Sequence, residues 1–368
     1  MTSLSLAELQ NYLASLYRGE ARITHVEELG VERAKVSEPF LELKGFGYGK
    51  SYLIEFQVRG EKRSVVLQTM RQDSFGHEYL SDRAQNLILA HKTYNRLEGH
   101  VKSLDLGAVR EDGTMASLGS CGEFFILLEK VEGKEYHWDL DEVSSRGNLR
   151  PLDLDRCLAL SDYLVKIHSF RKNDMPSLYT RRIRDLLGHG ECIMGLIDNY
   201  PPEERFISRE ELHRIEKTCV DWRWKLKDRV HRLCQVHGDF HPWNVLFREG
   251  VDFTVLDRSR GEWGEAGDDV SCMTVNYIFY SLQSHGKLAG PFQKLFEAFM
   301  KNYLDKTGDE ELLEVVQPFY AWRALVLASP KWYPTLSFEV RRKLINFLHN
   351  ILSTDRLDWK DVNQYLET

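Results

Sequence analysis

Residues 237–257 read His237-Gly238-Asp239-Phe240-His241-Pro242-Trp243-Asn244-Val245-Leu246-Phe247, then Arg248-Glu249-Gly250-Val251-Asp252, then Phe253-Thr254-Val255-Leu256-Asp257. The two apolar runs are short and β-prone, and the stretch between them carries turn chemistry, so the spacing predicts a buried hairpin. Such a hairpin brings Asn244, at the start of its first strand, beside Asp257, at the end of its second. An amide oxygen and a carboxylate at that spot suit Mg2+, a hard cation that takes oxygen ligands, often only one or two of them from protein. Asp239, just upstream, is the candidate base for an acceptor hydroxyl. An acid, an amide and a second acid in this order are what phosphoryl transfer from a Mg-nucleotide requires. Each residue alone would serve equally well as a turn or cap; the ordered set carries the expectation.

A rival use of this stretch is a metal pair, because His-x3-His can place two imidazoles on one helix face. Pro242 and the strand-like flanks argue against a helix, and no third ligand cluster lies nearby, so zinc is not expected. His237 is expected to brace the loop by hydrogen bonding.

The composition suits an enzyme. The chain has 368 residues, 42% hydrophobic and 11% aromatic, enough to bury a large core. A net charge of −7 argues against nucleic acid or an anionic membrane as the main partner. The six cysteines are scattered with no Cys-x-x-Cys, which indicates neither a zinc ribbon nor a disulfide framework but free thiols in a reducing compartment. The N-terminal segment carries acidic Glu8 and alternates at helical spacing, unlike a signal peptide. The longest apolar stretch, residues 270–282, is interrupted by Ser271, Thr274 and Asn276 and is too short to cross a bilayer. A soluble, cytoplasmic protein is expected.

Residues 4–16 read as an amphipathic helix. Strand-like runs follow at 23–29, 40–43, 52–58 and 64–70, with Gly60 in the turn between the last two. Residues 77–97 form a long helical pattern, and residues 124–128 another apolar strand. From Pro151 onward the chain is mainly helical apart from the hairpin. Strands first and helices later predict an α+β protein, with a sheet-rich part over 1–128 and a helical part over 129–368.

The string His237-Gly238-Asp239 followed by Asn244 and Asp257 resembles the catalytic loop of the aminoglycoside phosphotransferase and choline kinase family of small-molecule kinases. Leu127-Leu128-Glu129-Lys130-Val131-Glu132-Gly133 resembles that family's hinge. Lys166-Ile167-His168-Ser169 resembles its helix ending in Leu-His, and Gly264-Glu265-Ala266-Gly267-Asp268-Asp269 its Gly-Asp-x-x-x-Asp segment. Helix capping alone would also account for Asp268 and Asp269. The resemblance implies a two-lobed protein-kinase-like fold, with an antiparallel-sheet N-lobe that binds nucleotide and a helical C-lobe that holds the acceptor. It implies ATP (or GTP) and Mg2+ as cofactors, adenine held by backbone groups around Glu129 and Val131, and a small-molecule hydroxyl acceptor. About ten residues between Asp257 and Asp268 leave little room for the activation segment of a protein kinase. A nucleotidyl transferase on the same fold is a further variant.

Gly45-Phe46-Gly47-Tyr48-Gly49-Lys50-Ser51 is the candidate phosphate cradle, since Gly45, Gly47 and Gly49 let backbone N–H groups approach phosphate. Too few residues separate Gly45 from Gly49 for a Walker A loop, and a strand follows where that motif needs a helix. Downstream, kinase-like folds place a lysine at the end of an apolar strand run. Here Val65-Val66-Leu67 ends on Gln68, which cannot neutralise phosphate; Asp82 and Glu78 are the acids that would partner such a lysine. Two explanations follow: Lys50 has taken over the role, as in the with-no-lysine protein kinases, or the site is a catalytically weak, pseudokinase-like nucleotide-binding or regulatory module. The intact set Asp239, Asn244 and Asp257 favours relocation.

Two acceptor chemistries remain open. Glu135, Trp138, Asp139, Trp332 and Tyr333 would suit a cation, while Arg258 and Arg260 would suit an anion or pair with neighbouring acids.

Overall fold

The structure, a computed structural model, describes residues 5–29 and 49–367. The chain divides into two compact units, Met1–Leu128 and Glu129–Thr368.

The first unit opens with helix α1 (Leu6–Leu16), followed by strands β1 (Ala21–Glu28), β2 (Gly49–Val58) and β3 (Glu61–Met70). These form an antiparallel sheet in the order β1-β2-β3. The β2–β3 turn is two residues long, with Arg59 and Gly60 both at positive φ, 53° and 78°. That conformation matches the twist of paired strands and fixes the register. Val58 therefore opposes Glu61, Ser51 opposes Gln68 and Lys50 opposes Thr69. Alternate residues of β2 face the core: Ile54, Phe56 and Val58 are buried while Glu55 and Gln57 are exposed. Leu9 and Leu13, one turn apart on α1, cover that face, and Val65 and Leu67 of β3 join it.

Helix α2 (Leu80–Tyr94) follows, and Asp82 accepts the backbone N–H of Tyr79 at its start, 2.7 Å away. A small hairpin, β4 (Gly107–Val109) and β5 (Met115–Ser117), completes the unit and was not foreshadowed by the sequence pattern. The expected run at 40–43 lies outside the described residues. The strand expected over 124–128 does not form: the segment has no strand partner and its side chains are exposed. Apolar and β-prone residues make a strand only where a neighbour receives their backbone groups.

The second unit begins with β6 (Lys134–Glu135), α3 (Tyr136–Arg146), α4 (Pro151–His168), α5 (Ser177–Gly188), α6 (Ile193–Asp198) and α7 (Arg209–Leu226). Then come β7 (Cys234–Gln235), β8 (Val245–Phe247), β9 (Phe253–Val255) and β10 (Trp263–Gly264), and finally α8 (Ala266–His285), α9 (Gly290–Thr307), α10 (Gln317–Ala328) and α11 (Phe338–Leu352). The expected hairpin is present as β8–β9, with β6 added at the β8 edge. Sequence chemistry sets the helix ends: Ser208 and Glu211 form a reciprocal cap on α7, and Pro151 occupies the first turn of α4.

Helix α8 is buried from Ala266 through Leu282 and packs against α9, α10 and α11. The long apolar run at 270–282 is therefore the central core helix, and among the described residues no helix is long and apolar enough to cross a membrane. All six cysteines are free, five of them buried. An antiparallel sheet in one unit and mainly helices in the other make this the α+β class expected.

Candidate active site

The loop between β7 and β8 is shaped from behind. Asp269, fully buried on the first turn of α8, accepts the backbone N–H groups of His237 and Gly238, each at 2.7 Å, and contacts His168 Nε2 at 3.1 Å. His168 ends α4 and is held in turn by the Tyr303 hydroxyl at 2.7 Å. Burial pushes the Asp269 carboxyl up, but His168 and the His237 contacts outweigh it and hold the group below its ordinary value. Gly238 sits at φ 87°, where a Cβ would meet Arg182 Nη2 at 3.3 Å. Helix α8 is capped by Glu265, whose side chain accepts the Gly267 N–H, so neither Asp268 nor Asp269 is the cap. Glu265 also binds Arg232 through two contacts, 2.7 and 2.8 Å, and the Tyr179 hydroxyl at 2.7 Å.

Past Asp239 the chain makes one short turn, Pro242–Asn244, started by His241, whose Nδ1 accepts the Trp243 N–H at 3.2 Å. His237 Nδ1 accepts the Asp239 N–H at 3.3 Å, a bracing bond inside the loop. The Asn244 amide donates to the Asp239 carbonyl at 3.0 Å, which ties these two residues together and leaves Asn244 Oδ1 for a cation. Val245 opposes Val255, and Leu256 N–H donates to the Asn244 carbonyl at 2.8 Å, so Asp257 is the residue after the one that pairs with Asn244. Asp257 takes φ 54°, a left-handed conformation uncommon outside glycine and tolerated best by Asp and Asn. One amide oxygen and one carboxylate form a donor set suited to a cation that keeps waters and phosphate oxygens as its other ligands.

Asp239 is 9% exposed and gripped at both oxygens. Arg323 Nη1 donates to Oδ1 at 2.6 Å, and Arg260 Nη1 pairs with Oδ2 at 2.7 Å. Cys272 Sγ lies 3.9 Å from Oδ1. Burial drives the Asp239 carboxyl up, yet Arg323, Arg260 and His241 overcome it and hold the group well below the carboxylate range. Arg323 also binds Asp268 Oδ1 at 2.8 Å and the Gly238 carbonyl at 3.1 Å, while Arg182 takes the other oxygen of Asp268. Arg258 is spent on backbone carbonyls of Val236 and Glu262.

Beside Asp239 opens a cavity of about 640 Å3 within the second unit, lined among others by Trp243, Arg260, Asn276, Trp322 and Tyr333. Its size is that of a small-molecule site.

The candidate nucleotide ligands are more scattered. Gly45 and Gly47 lie outside the described residues. Gly49 pairs so closely with β3 that a Cβ would stand 2.0 Å from the Thr69 carbonyl oxygen, a strand-packing reason for glycine there. Lys50 Nζ pairs with Glu28 of β1 at 3.1 Å, not with Asp82 or Glu78. Because Lys50 opposes Thr69 and Ser51 opposes Gln68, Lys50 and Gln68 project from opposite faces of the sheet. Glu129 and Val131 belong to an irregular segment ahead of β6.

Sequence reasoning missed Arg323 and Asn276. Arg323 lies 84 residues beyond its partner Asp239. The one available signal was a lone charge in the apolar run Ala321-Trp322-Arg323-Ala324-Leu325. Asn276 was read only as an interruption of an apolar stretch.

No curated protein sequence matches the chain. Among solved structures, Plasmodium vivax ethanolamine kinase is similar at 13% identity and TM-score 0.35, covering 91% of this chain and 84% of that one. An amicoumacin kinase in complex with AMP-PNP, Ca2+ and its substrate is similar at 14% identity and TM-score 0.40, covering 90% and 96%. An ADP-bound aminoglycoside phosphotransferase is similar at 15% identity and TM-score 0.33, covering 94% and 98%. These likenesses are distant. Residues 55–285, more than half of the chain, match the family described as the phosphotransferase enzyme family, APH. The chain belongs to that family.

Proposed function

We propose that the protein transfers the γ-phosphoryl group of ATP to a hydroxyl of a small molecule. The observation that supports this reading is the β8–β9 register, which pairs Asn244 with Leu256, the residue before Asp257, while the Asn244 amide holds the Asp239 carbonyl. Asp239 would orient the acceptor hydroxyl and receive its proton as the new O–P bond forms and the bond from γ-phosphorus to the bridging oxygen breaks, releasing ADP. A carboxylate held strongly ionised is a weak base. Phosphoryl transfer through a loose transition state asks chiefly for positioning, so a weak base suffices. Asn244 Oδ1 and the Asp257 carboxylate would hold Mg2+, which would neutralise phosphate charge when bound.

The remaining assignments complete the reading. The segment 45–50 would cover the phosphates, with Lys50, once released from Glu28, supplying from the opposite face of the sheet the charge that Gln68 lacks, and the backbone at Glu129 and Val131 would receive adenine. The part over 1–128 would thus serve nucleotide binding and the part over 129–368 catalysis and acceptor binding. Buried free thiols suit a cytoplasmic setting.

Calorimetric titration of ATP with and without Mg2+, on wild type and on Asp257→Asn, tests the reading. Asn tolerates the left-handed backbone at this position, so the variant removes charge and leaves the fold. Magnesium should strengthen ATP binding to wild type and do little for the variant. An equal magnesium effect in both proteins would remove Asp257 from the site and the proposal with it.

A further inference from the structure

The charged lining of the cavity consists of Glu191, Asp239, Arg260, Arg323 and Lys331. Three are cations; of the two acids, Asp239 is already paired with Arg260 and Arg323, and Glu191 is largely exposed, 62% for its side chain. Arg323 is committed to Asp239, Asp268 and the Gly238 carbonyl. Arg260 is not. It meets one oxygen of Asp239 at 2.7 Å and reaches Glu191 only at 3.4 Å, and its Nε has no hydrogen-bond partner among the described residues. A guanidinium presents its donors in a planar fork that fits a carboxylate or phosphate through two parallel bonds. One such edge is therefore unspent in the cavity wall.

Asn276, 3% exposed, supplies a second unspent group. Its amide nitrogen donates to the Cys272 carbonyl at 2.8 Å, while its Oδ1 has no partner among the described residues. A buried acceptor left unmade costs roughly 1–3 kcal/mol, so this oxygen calls for a donor such as a hydroxyl.

Two of the aromatic rings in the lining already meet cations. The Trp322 ring carries the guanidinium of Arg323 at 3.7 Å and that of Arg260 at 5.0 Å, and Lys331 lies 5.6 Å from the Trp332 ring. The other aromatic and acidic segment is spent likewise: Lys134 lies over Trp138 at 5.9 Å, and Asp139 pairs with Arg156 at 2.5 Å. An ammonium in the cavity would face three cations, offset by Asp239, which two of them already hold, and one exposed acid.

We propose, resting on the phosphotransferase reading, that the acceptor is an anionic polyol, a sugar acid or sugar phosphate. Its anionic group binds the free edge of Arg260, one hydroxyl donates to Asn276 Oδ1, and another lies at Asp239. Binding draws Arg260 from Asp239 Oδ2 toward the ligand, which opens that oxygen to the acceptor hydroxyl.

Calorimetry at equal ionic strength tests this with four probes: gluconate, glycerophosphate, sorbitol and glucosamine. Mg-ATP binding is measured on the same samples. At least one anionic probe should bind wild type at millimolar concentration or below, and glucosamine and sorbitol at least about tenfold more weakly. The better anion identifies carboxylate or phosphate as the group recognised. Arg260→Gln should weaken the anion about tenfold and should not weaken sorbitol, since it uncovers Asp239 Oδ2. Should that variant fail to fold, the wild-type ranking decides alone. Glucosamine binding tightest, anion affinity untouched by Arg260→Gln, or no binding by either anion would overturn the proposal. Any of these with Mg-ATP binding intact leaves the phosphotransferase reading standing; loss of Mg-ATP binding with anion binding intact strikes that reading instead.

Discussion

Asp269→Asn should destabilise the second unit by about 3 kcal/mol, a figure that follows from its contacts. The carboxylate serves three donors: Oδ2 faces the His237 N–H and His168 Nε2, and Oδ1 faces the Gly238 N–H. Asparagine keeps one oxygen. In its better orientation that oxygen stays on the side of His237 and His168, and the new NH2 group confronts the Gly238 N–H donor to donor. One charge-assisted bond, worth roughly 1.5–3 kcal/mol, disappears, and a buried N–H is left unmade at roughly 1–3 kcal/mol. The two losses overlap, which places the total near the low end of their summed range, at about 3 kcal/mol. Urea unfolding followed by tryptophan fluorescence measures it cleanly, because all eight tryptophans lie between residues 138 and 359 and report on this unit. The matched control is Asp162→Asn, which removes a half-exposed pairing with Lys306 and should cost under about 1 kcal/mol. If Asp269→Asn were as mild as its control, the carboxylate would not be what holds the loop, and the account of how Asp239 is presented would fail.

Two further outcomes are expected. His241 is pushed down to about 4, chiefly by burial, with Asp239 pulling against it and Arg323 and Arg260 adding to the shift. The unfolded chain takes up this proton near the ordinary imidazole value of 6.5 while the folded chain does not, so acidification from 6.5 to 4 favours unfolding. The Tm of wild type should fall across that window and that of His241→Asn should fall less; parallel curves would refute it. Asp239 and Asp269, held low when folded, add their loss only at and below the ordinary carboxylate value of 3.8. In the first unit, Lys50→Ala should weaken ATP binding about tenfold and Gln68→Ala hardly at all, as read by calorimetry. Equal effects would end the case for a relocated lysine.

The hairpin at 245–255 was legible because its order of apolar runs and turn residues is local, and local order survives folding. The opposite faces of Lys50 and Gln68 went unread in the sequence, although the turn holds them. Once Arg59 and Gly60 are taken as the two loop residues, Val58 must oppose Glu61, and every later pair follows. Residues 124–128 show the opposite case: their composition is that of a strand, but pairing is a property of a neighbour, and sequence pattern does not supply one. Arg323 and Asn276 were out of reach for a related reason. What gives each its role is a partner or a cavity wall assembled from other helices, so neither belongs to a motif with fixed spacing.

The acids that open α8 also bear on the order in which the molecule is made. Asp268 and Asp239 share Arg323, 55 and 84 residues later in the chain. During synthesis the two carboxylates emerge well before the cation they share, with Arg182 the only earlier guanidinium contacting Asp268 among the described residues. Until α10 arrives, Asp239 has only the guanidinium of Arg260 and Asp268 only that of Arg182 among the described residues, so closing the site would bury negative charge with part of its pairing missing, which is unfavourable. Assembly of the catalytic centre is thus a late event in the life of the nascent chain. A product cut short before residue 323 would keep every motif residue, Asp239, Asn244 and Asp257 included, and still lack the clamp that sets the first of them in place.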